Sequence, residues 1–164
     1  MLTGSGWTVT KSGWKPRLAS DYTYASGDNG KKSGTRETFD NTFGYANPMN
    51  SLTGQFAFRN IEDWRVGVEF YPFKKLKLKL DGREFWLANT NDSLYNSVGS
   101  SIVKNPKATN AHVGESVEMM ATVSVTKTTT FGFGVGTLFP GEYLKQSQKD
   151  QAFVYPYMYF AQKF

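Results

Sequence analysis

Charged residues at alternate positions are the first chemical signal in this chain. Lys77, Lys79, Asp81 and Arg83 stand two apart, as do Asp63 and Arg65, with Glu69 in the same phase; Arg17, Asp21 and Glu118 fall in similar settings. Residues two apart share one face of an extended strand. A row of Arg and Lys on such a face can draw an anion along it, as charged rings do in anion pores. Alternatively, the same side chains pair across neighbouring strands and only keep the surface wet and rigid. Five basic residues (Arg17, Arg65, Lys77, Lys79, Arg83) oppose five acidic ones (Asp21, Asp63, Glu69, Asp81, Glu118). The count alone favours pairing.

Other chemistries find little to work with. Cysteine is absent, which removes disulfides and thiolate metal sites. His112 is the single histidine, in a polar stretch beside Asn110 and Ala111 with no serine motif near it. A nucleophile and its base therefore have no evident partners, and no enzyme, metal or cofactor is expected. Gly132-Phe133-Gly134-Val135-Gly136 lacks the spacing of a dinucleotide fingerprint and precedes no helix. Small residues that let something pack closely explain it better. The formal charge of +5 is spread among acidic residues, not gathered in a basic cluster, so nucleic acid is not an expected partner.

Period-two alternation predicts about seven strands to carry these residues. They run near 5–10, 16–25, 63–71, 76–88, 115–126, 130–138 and 152–164. In the third, Trp64, Val66, Val68 and Phe70 alternate with Asp63, Arg65, Gly67 and Glu69. The fourth slips phase near Glu84-Phe85, where a bulge or a membrane edge is expected. Connections alternate in length: long (26–59), tight (Phe73-Lys74-Lys75), long (89–113), tight (Lys127-Thr128-Thr129), then medium (139–150). The long ones are rich in Asn, Asp, Ser and Gly and read as exposed surface loops.

Alternation does not say which face is wet, since a soluble lipocalin-like barrel shares the period with its apolar residues inside. Three features favour a membrane. Most strands run about 9 to 13 residues, near the roughly 9 to 11 needed to cross a bilayer. Aromatics (16% of the chain) gather at strand ends, at Tyr22, Tyr24, Tyr71, Phe73, Trp86, Tyr155 and Tyr157. The final residue, Phe164, is aromatic, as outer-membrane barrels usually end.

Several ordered segments resemble the alginate export family of outer-membrane barrels. They are Trp14-Lys15-Pro16-Arg17-Leu18, Asp21-Tyr22-Thr23-Tyr24-Ala25-Ser26-Gly27-Asp28, Thr38-Phe39-Asp40-Asn41-Thr42-Phe43, Leu87-Ala88-Asn89, Asp92-Ser93-Leu94-Tyr95, Val113-Gly114-Glu115 and Phe139-Pro140-Gly141-Glu142-Tyr143-Leu144. The resemblance spans nearly the whole chain and implies a monomeric barrel of about eighteen strands guiding an anionic polyuronate. Seven strands are fewer than half of that, and Met1-Leu2-Thr3-Gly4-Ser5-Gly6 carries no secretion signal. Residues 1–164 are therefore expected to form the carboxy-terminal segment of a larger barrel.

The expectation is an all-β, antiparallel up-and-down transmembrane barrel in a bacterial outer membrane. Its partners would be lipid and an anionic polysaccharide such as alginate, or small anionic solutes. Arg17, Asp21, Arg65, Glu69, Lys77, Lys79, Asp81, Arg83 and Glu118 are the candidate lumen residues. The competing readings are a general porin for small solutes and a soluble lipocalin-like binder.

Overall fold

The computed structural model describes residues 1–30, 34–40 and 54–164. Seven antiparallel strands form one sheet in the order β1-β2-β3-β4-β7-β8-β9. They are β1 (Leu2–Thr8), β2 (Arg17–Ala25), β3 (Ile61–Phe73), β4 (Leu76–Trp86), β7 (His112–Ser124), β8 (Thr129–Pro140) and β9 (Phe153–Gln162). Two short strands, β5 (Leu94–Tyr95) and β6 (Ser101–Val103), pair with each other inside the second long connection, and a single-turn helix, α1 (Glu142–Gln146), follows β8. Each main strand pairs with the next, as in an up-and-down meander. Among the described residues the outer edges, β1 and β9, do not pair with one another.

The two faces of the sheet have opposite chemistry. On β7 the neighbours Val117 and Glu118 are 58% and 2% exposed. Along β3, Trp64 and Val66 are exposed while Asp63 and Gly67 are buried. Leu80, Met119, Phe133, Val135, Met158 and Phe160 extend the exposed apolar face across the remaining strands. A water-soluble sheet buries its apolar side and wets its charges. This one does the reverse.

Small residues allow the polar face to close up. A Cβ added to Gly67 would lie 2.1 Å from the Asp81 carboxylate, so only glycine lets that group lean across β3. Gly132 and Gly134 do the same for aromatics, lying beneath the rings of Tyr159 and Tyr157 on β9. The glycine repeat of β8 is thus a bed for tyrosines, a cross-strand glycine–aromatic pairing.

Both faces change character at one end of the sheet. There the polar face turns apolar, with Ala25, Ile61, Phe85, Val113 and Leu138 all buried. The opposite face gains Glu62, Glu84 and Glu115. Alternation in β4 itself runs unbroken through Glu84 and Phe85; the chemistry inverts, not the backbone phase. The extra residue belongs to β7, where Phe85 faces Gly114 and Trp86 faces His112, leaving Val113 unmatched.

The long connections fold over this apolar end. Leu87, Leu94, Val103, Tyr143 and Leu144 pack with the strand residues into one core, joined by Phe56, Phe58, Ala108 and Ala111. The expectation of ordinary surface loops is corrected here: their apolar side chains fill the space above the inverted end of the sheet. Tyr143 is fully buried, and its hydroxyl donates to the Val103 carbonyl while accepting from the Asn105 amide.

Gly132→Val should force the Tyr159 ring off its bed, since the new Cβ would sit 1.8 Å from Cε1. Overpacking of this kind costs about 1–3 kcal/mol. In denaturant unfolding the cost should largely disappear when Tyr159→Ser is combined with it.

Candidate functional site

Strand register gathers the charged residues into rows across the polar face. Arg17, Glu69 and Lys79 share one row, Asp81 and Glu118 the next, and Asp21, Arg65 and Arg83 a third. Lys77 lies in line with Thr122, one step beyond Lys79 and Met120. All nine expected lumen residues therefore stand on one face. The sheet brings Arg17, Asp21, Arg65, Glu69, Lys79 and Asp81 together around a cavity of about 530 Å³ beside β1.

Most of these charges are paired. The Arg65 guanidinium donates to Asp21 on one side and to Asp81, at 2.8 Å, on the other. Lys79 reaches the second Asp81 oxygen at 2.6 Å. Arg83 donates to Asp63 at 2.5 Å, with Glu118 near enough to attract it electrostatically. Asp81, Asp63, Arg83 and Glu118 are all buried. Charges taken out of water persist only when paired, and removing one partner of a fully buried pair costs about 3–5 kcal/mol. Arg65 is therefore structural as well as polar: its loss strands Asp21 and leaves Asp81 to Lys79 alone. Of the five basic candidates, Arg17 and Lys77 form no ion pair among the described residues.

A second constellation is built by the loops. Asp92 is buried and accepts from the Thr38 hydroxyl (2.6 Å), the Tyr95 hydroxyl (2.7 Å) and the backbone amides of Asp28 (2.9 Å) and Ser93 (2.7 Å). One carboxylate thus clasps both long connections together. Burial pushes its pKa up, but the bonds from Thr38, Asp28, Tyr95 and Ser93 outweigh this and hold it below the usual aspartate value. Beside it, Asn60 is wholly buried and donates to the carbonyls of Asn89 and Ser93, while its own oxygen accepts from the Asn89 amide. The Arg59 guanidinium lies 5.3 Å from the Tyr95 ring centroid.

The segments quoted above for their ordered resemblance, except Trp14-Lys15-Pro16-Arg17-Leu18 at the opposite end of the sheet, converge here. Asp28, Thr38, Asn89 and Asp92-Ser93-Leu94-Tyr95 form the clasp, while Val113 accepts from the Gly141 amide and Tyr143-Leu144 enter the core. Asn41-Thr42-Phe43 lies outside the described residues. The alginate export family model matches residues 1–154. The chain belongs to the alginate export family. No curated protein matches it. Membership implies an outer-membrane β-barrel architecture and polysaccharide transport, with which the all-β sheet agrees.

One grouping in this family member was not legible beforehand. The unmatched Val113 turns His112 onto the apolar face, beside Glu84 and Glu115, with one potential ligand atom from each within 4.8 Å of the others. His112 packs against Trp86, ring centroids 5.8 Å apart. One imidazole and two carboxylates have metal-ligand chemistry, and they equally suit a shared proton. No sequence spacing signals the group, because it depends on the bulge and on pairing between two strands.

A carboxylate with a depressed pKa stabilises the fold above its unfolded value, about 3.9, and that contribution fades as pH falls through the folded value. Acidification from pH 7 to below about pH 4 should therefore loosen segments 26–30, 34–40 and 89–103 before the sheet. Hydrogen exchange measured across that range checks this. Asp92→Asn should show the loosened loops already at neutral pH and remove most of their pH dependence.

Proposed function

We propose that this chain forms wall of an outer-membrane pore that passes an anionic polysaccharide such as alginate along its charged face. The observation that carries the reading is the inverted polarity of the sheet, with paired charges on one side and a largely apolar surface on the other. Hydrocarbon is the solvent that suits the second face, and a wet lumen suits the first. From Trp64 to Phe73 the strand rises about 30 Å, which at a tilt near 40° stands roughly 23 Å tall. An outer-membrane apolar band is about 25 Å. Trp64, Trp86 and Phe139 fall near the inverted end, and Trp14 stacks with Phe70 towards the other, in the manner of two aromatic girdles.

The open edges at β1 and β9 are where further strands would attach, and we place the sheet in a monomeric barrel of about eighteen strands. Arg17 and Lys77 attract the polyanion, while the ion-paired Asp21, Arg65, Lys79, Asp81 and Arg83, together with Glu69 and Glu118, shape a polar path for it. The packed loops narrow one end of that path.

Val68→Arg would set a cation on the lipid side at a cost of roughly 2–4 kcal/mol near mid-bilayer. The expected result is failed assembly, seen as loss of the compact, heat-modifiable species on a denaturing gel. Arg17→Gln with Lys77→Gln should assemble normally and lower anion selectivity in planar bilayers. Conductance of the full-length protein, with and without an oligouronate blocker, tests the substrate. Block by uronates over neutral oligosaccharides of equal length is expected; equal indifference to both would leave a general porin.

A further inference from the structure

The polar face carries a second surface that the ion pairs do not use. Phe153, Tyr155, Tyr157 and Tyr159 occupy alternate positions of β9, all on the polar side. Phe153 and Tyr155 lie nearly parallel, 18° between planes and 6.2 Å between centroids; Tyr157 and Tyr159 do likewise at 21° and 5.9 Å. The Tyr159 ring occupies the space beside Gly132 that a side chain would fill, and its hydroxyl reaches to 3.5 Å from the Thr122 hydroxyl on β7. Tyr157 does the same beside Gly134. Glycine at both positions leaves the space in which these rings lie against β8.

Register ties this strip to the cations. Lys77, Thr122, Gly132 and Tyr159 make one row across four strands, and Lys79, Met120, Gly134 and Tyr157 make the next. Strands are about 4.8 Å apart, so Lys77 and Tyr159 stand on the same face about 14 Å apart along one row, a span that one or two sugar rings cover. Lys77 forms no ion pair among the described residues, as noted above. The pairing of a flat aromatic face with a cation in the same row suits a ligand that has both a C–H face and a carboxylate. A uronate pyranose ring has both.

We propose that the Tyr155-Tyr157-Tyr159 strip, with Lys77 across the row from it, is a stacking subsite along which successive uronate rings slide. The inference rests on the transport reading and adds to it a second mode of contact besides charge. Ring stacking is tolerant of exact position, because each ring offers the same face. Three rings at alternate positions along the strand therefore hold a moving polymer without a single deep well, whereas a fixed set of hydrogen bonds would stall it.

The test uses the full-length protein in planar bilayers with an oligouronate and a neutral oligosaccharide of equal length as blockers. Tyr157→Leu with Tyr159→Leu should weaken block by both sugars, by roughly tenfold for the uronate, with open-channel conductance and ion selectivity retained. The corresponding pair of Phe substitutions keeps the rings and should stay within about twofold of wild type. Lys77→Gln should weaken block by the uronate alone. Uronate block unchanged in the Leu pair would overturn the subsite, as would an equal loss in the Phe pair, which would point to the hydroxyls. If no uronate blocks the wild type, the transport reading itself fails. Should the Leu pair not assemble, saturation-transfer difference spectra of the detergent-solubilised wild type decide. Irradiating aromatic protons should label the C–H face of the uronate ring, and absence of that transfer would equally overturn the proposal.

Discussion

Arg65 held between Asp21 and Asp81 is the contact on which the arrangement of this sheet depends. It joins three strands, β2, β3 and β4, at one height, and Lys79 and the neighbouring Arg83–Asp63 pair extend the network. Strand side chains alternate strictly, so fixing these charges on one face sends Val66, Leu80, Val117 and Met119 to the other. A one-residue slip would place several ionised groups among apolar neighbours. The ion pairs are thus as much a device for register as a source of stability. Glycine at Gly67 is part of the same device, because the Asp81 carboxylate occupies the space its side chain would take.

The two ends of the polar face do different physical work. Between β1 and β4 it is crowded with charge around an open cavity, and between β7 and β9 it is paved with glycine and tyrosine. Towards the loop end it becomes dry, and the connections pack there instead of standing free. Asp92 makes that packing possible. A buried carboxylate with four hydrogen bonds can organise two long polar segments that have few apolar residues of their own.

Strand faces were legible in the sequence because period-two alternation survives any tertiary detail. All nine candidate residues share one face of the sheet, and the seven main strands lie close to the expected positions, although β1 starts earlier and β3 runs longer. Loop structure was not legible. Asn60, Asp92 and Ser93 are residue types that mark exposed turns, yet here they are buried as hydrogen-bond hubs; composition does not distinguish the two uses. Helix α1 spans only five residues, too few to show a helical period. An irregularity near Glu84-Phe85 was visible, but in β4 it is a change of chemistry and not of phase; the extra residue is Val113 of β7, which turns His112 to the apolar face.

The central claim is that the charged face is wet and the apolar face meets lipid. Residues 1–164 contain no cysteine, so single cysteines can be placed along β7 from position 116 to position 121, in a background free of any other cysteine, and labelled in membranes. A water-soluble, membrane-impermeant thiol reagent should react at 120, leave the buried positions 116 and 118 unlabelled, and spare 117, 119 and 121. Spin labels at the spared positions should in turn be relaxed by oxygen dissolved in lipid. The reverse pattern, with 117, 119 and 121 reactive to the aqueous reagent, would contradict the account.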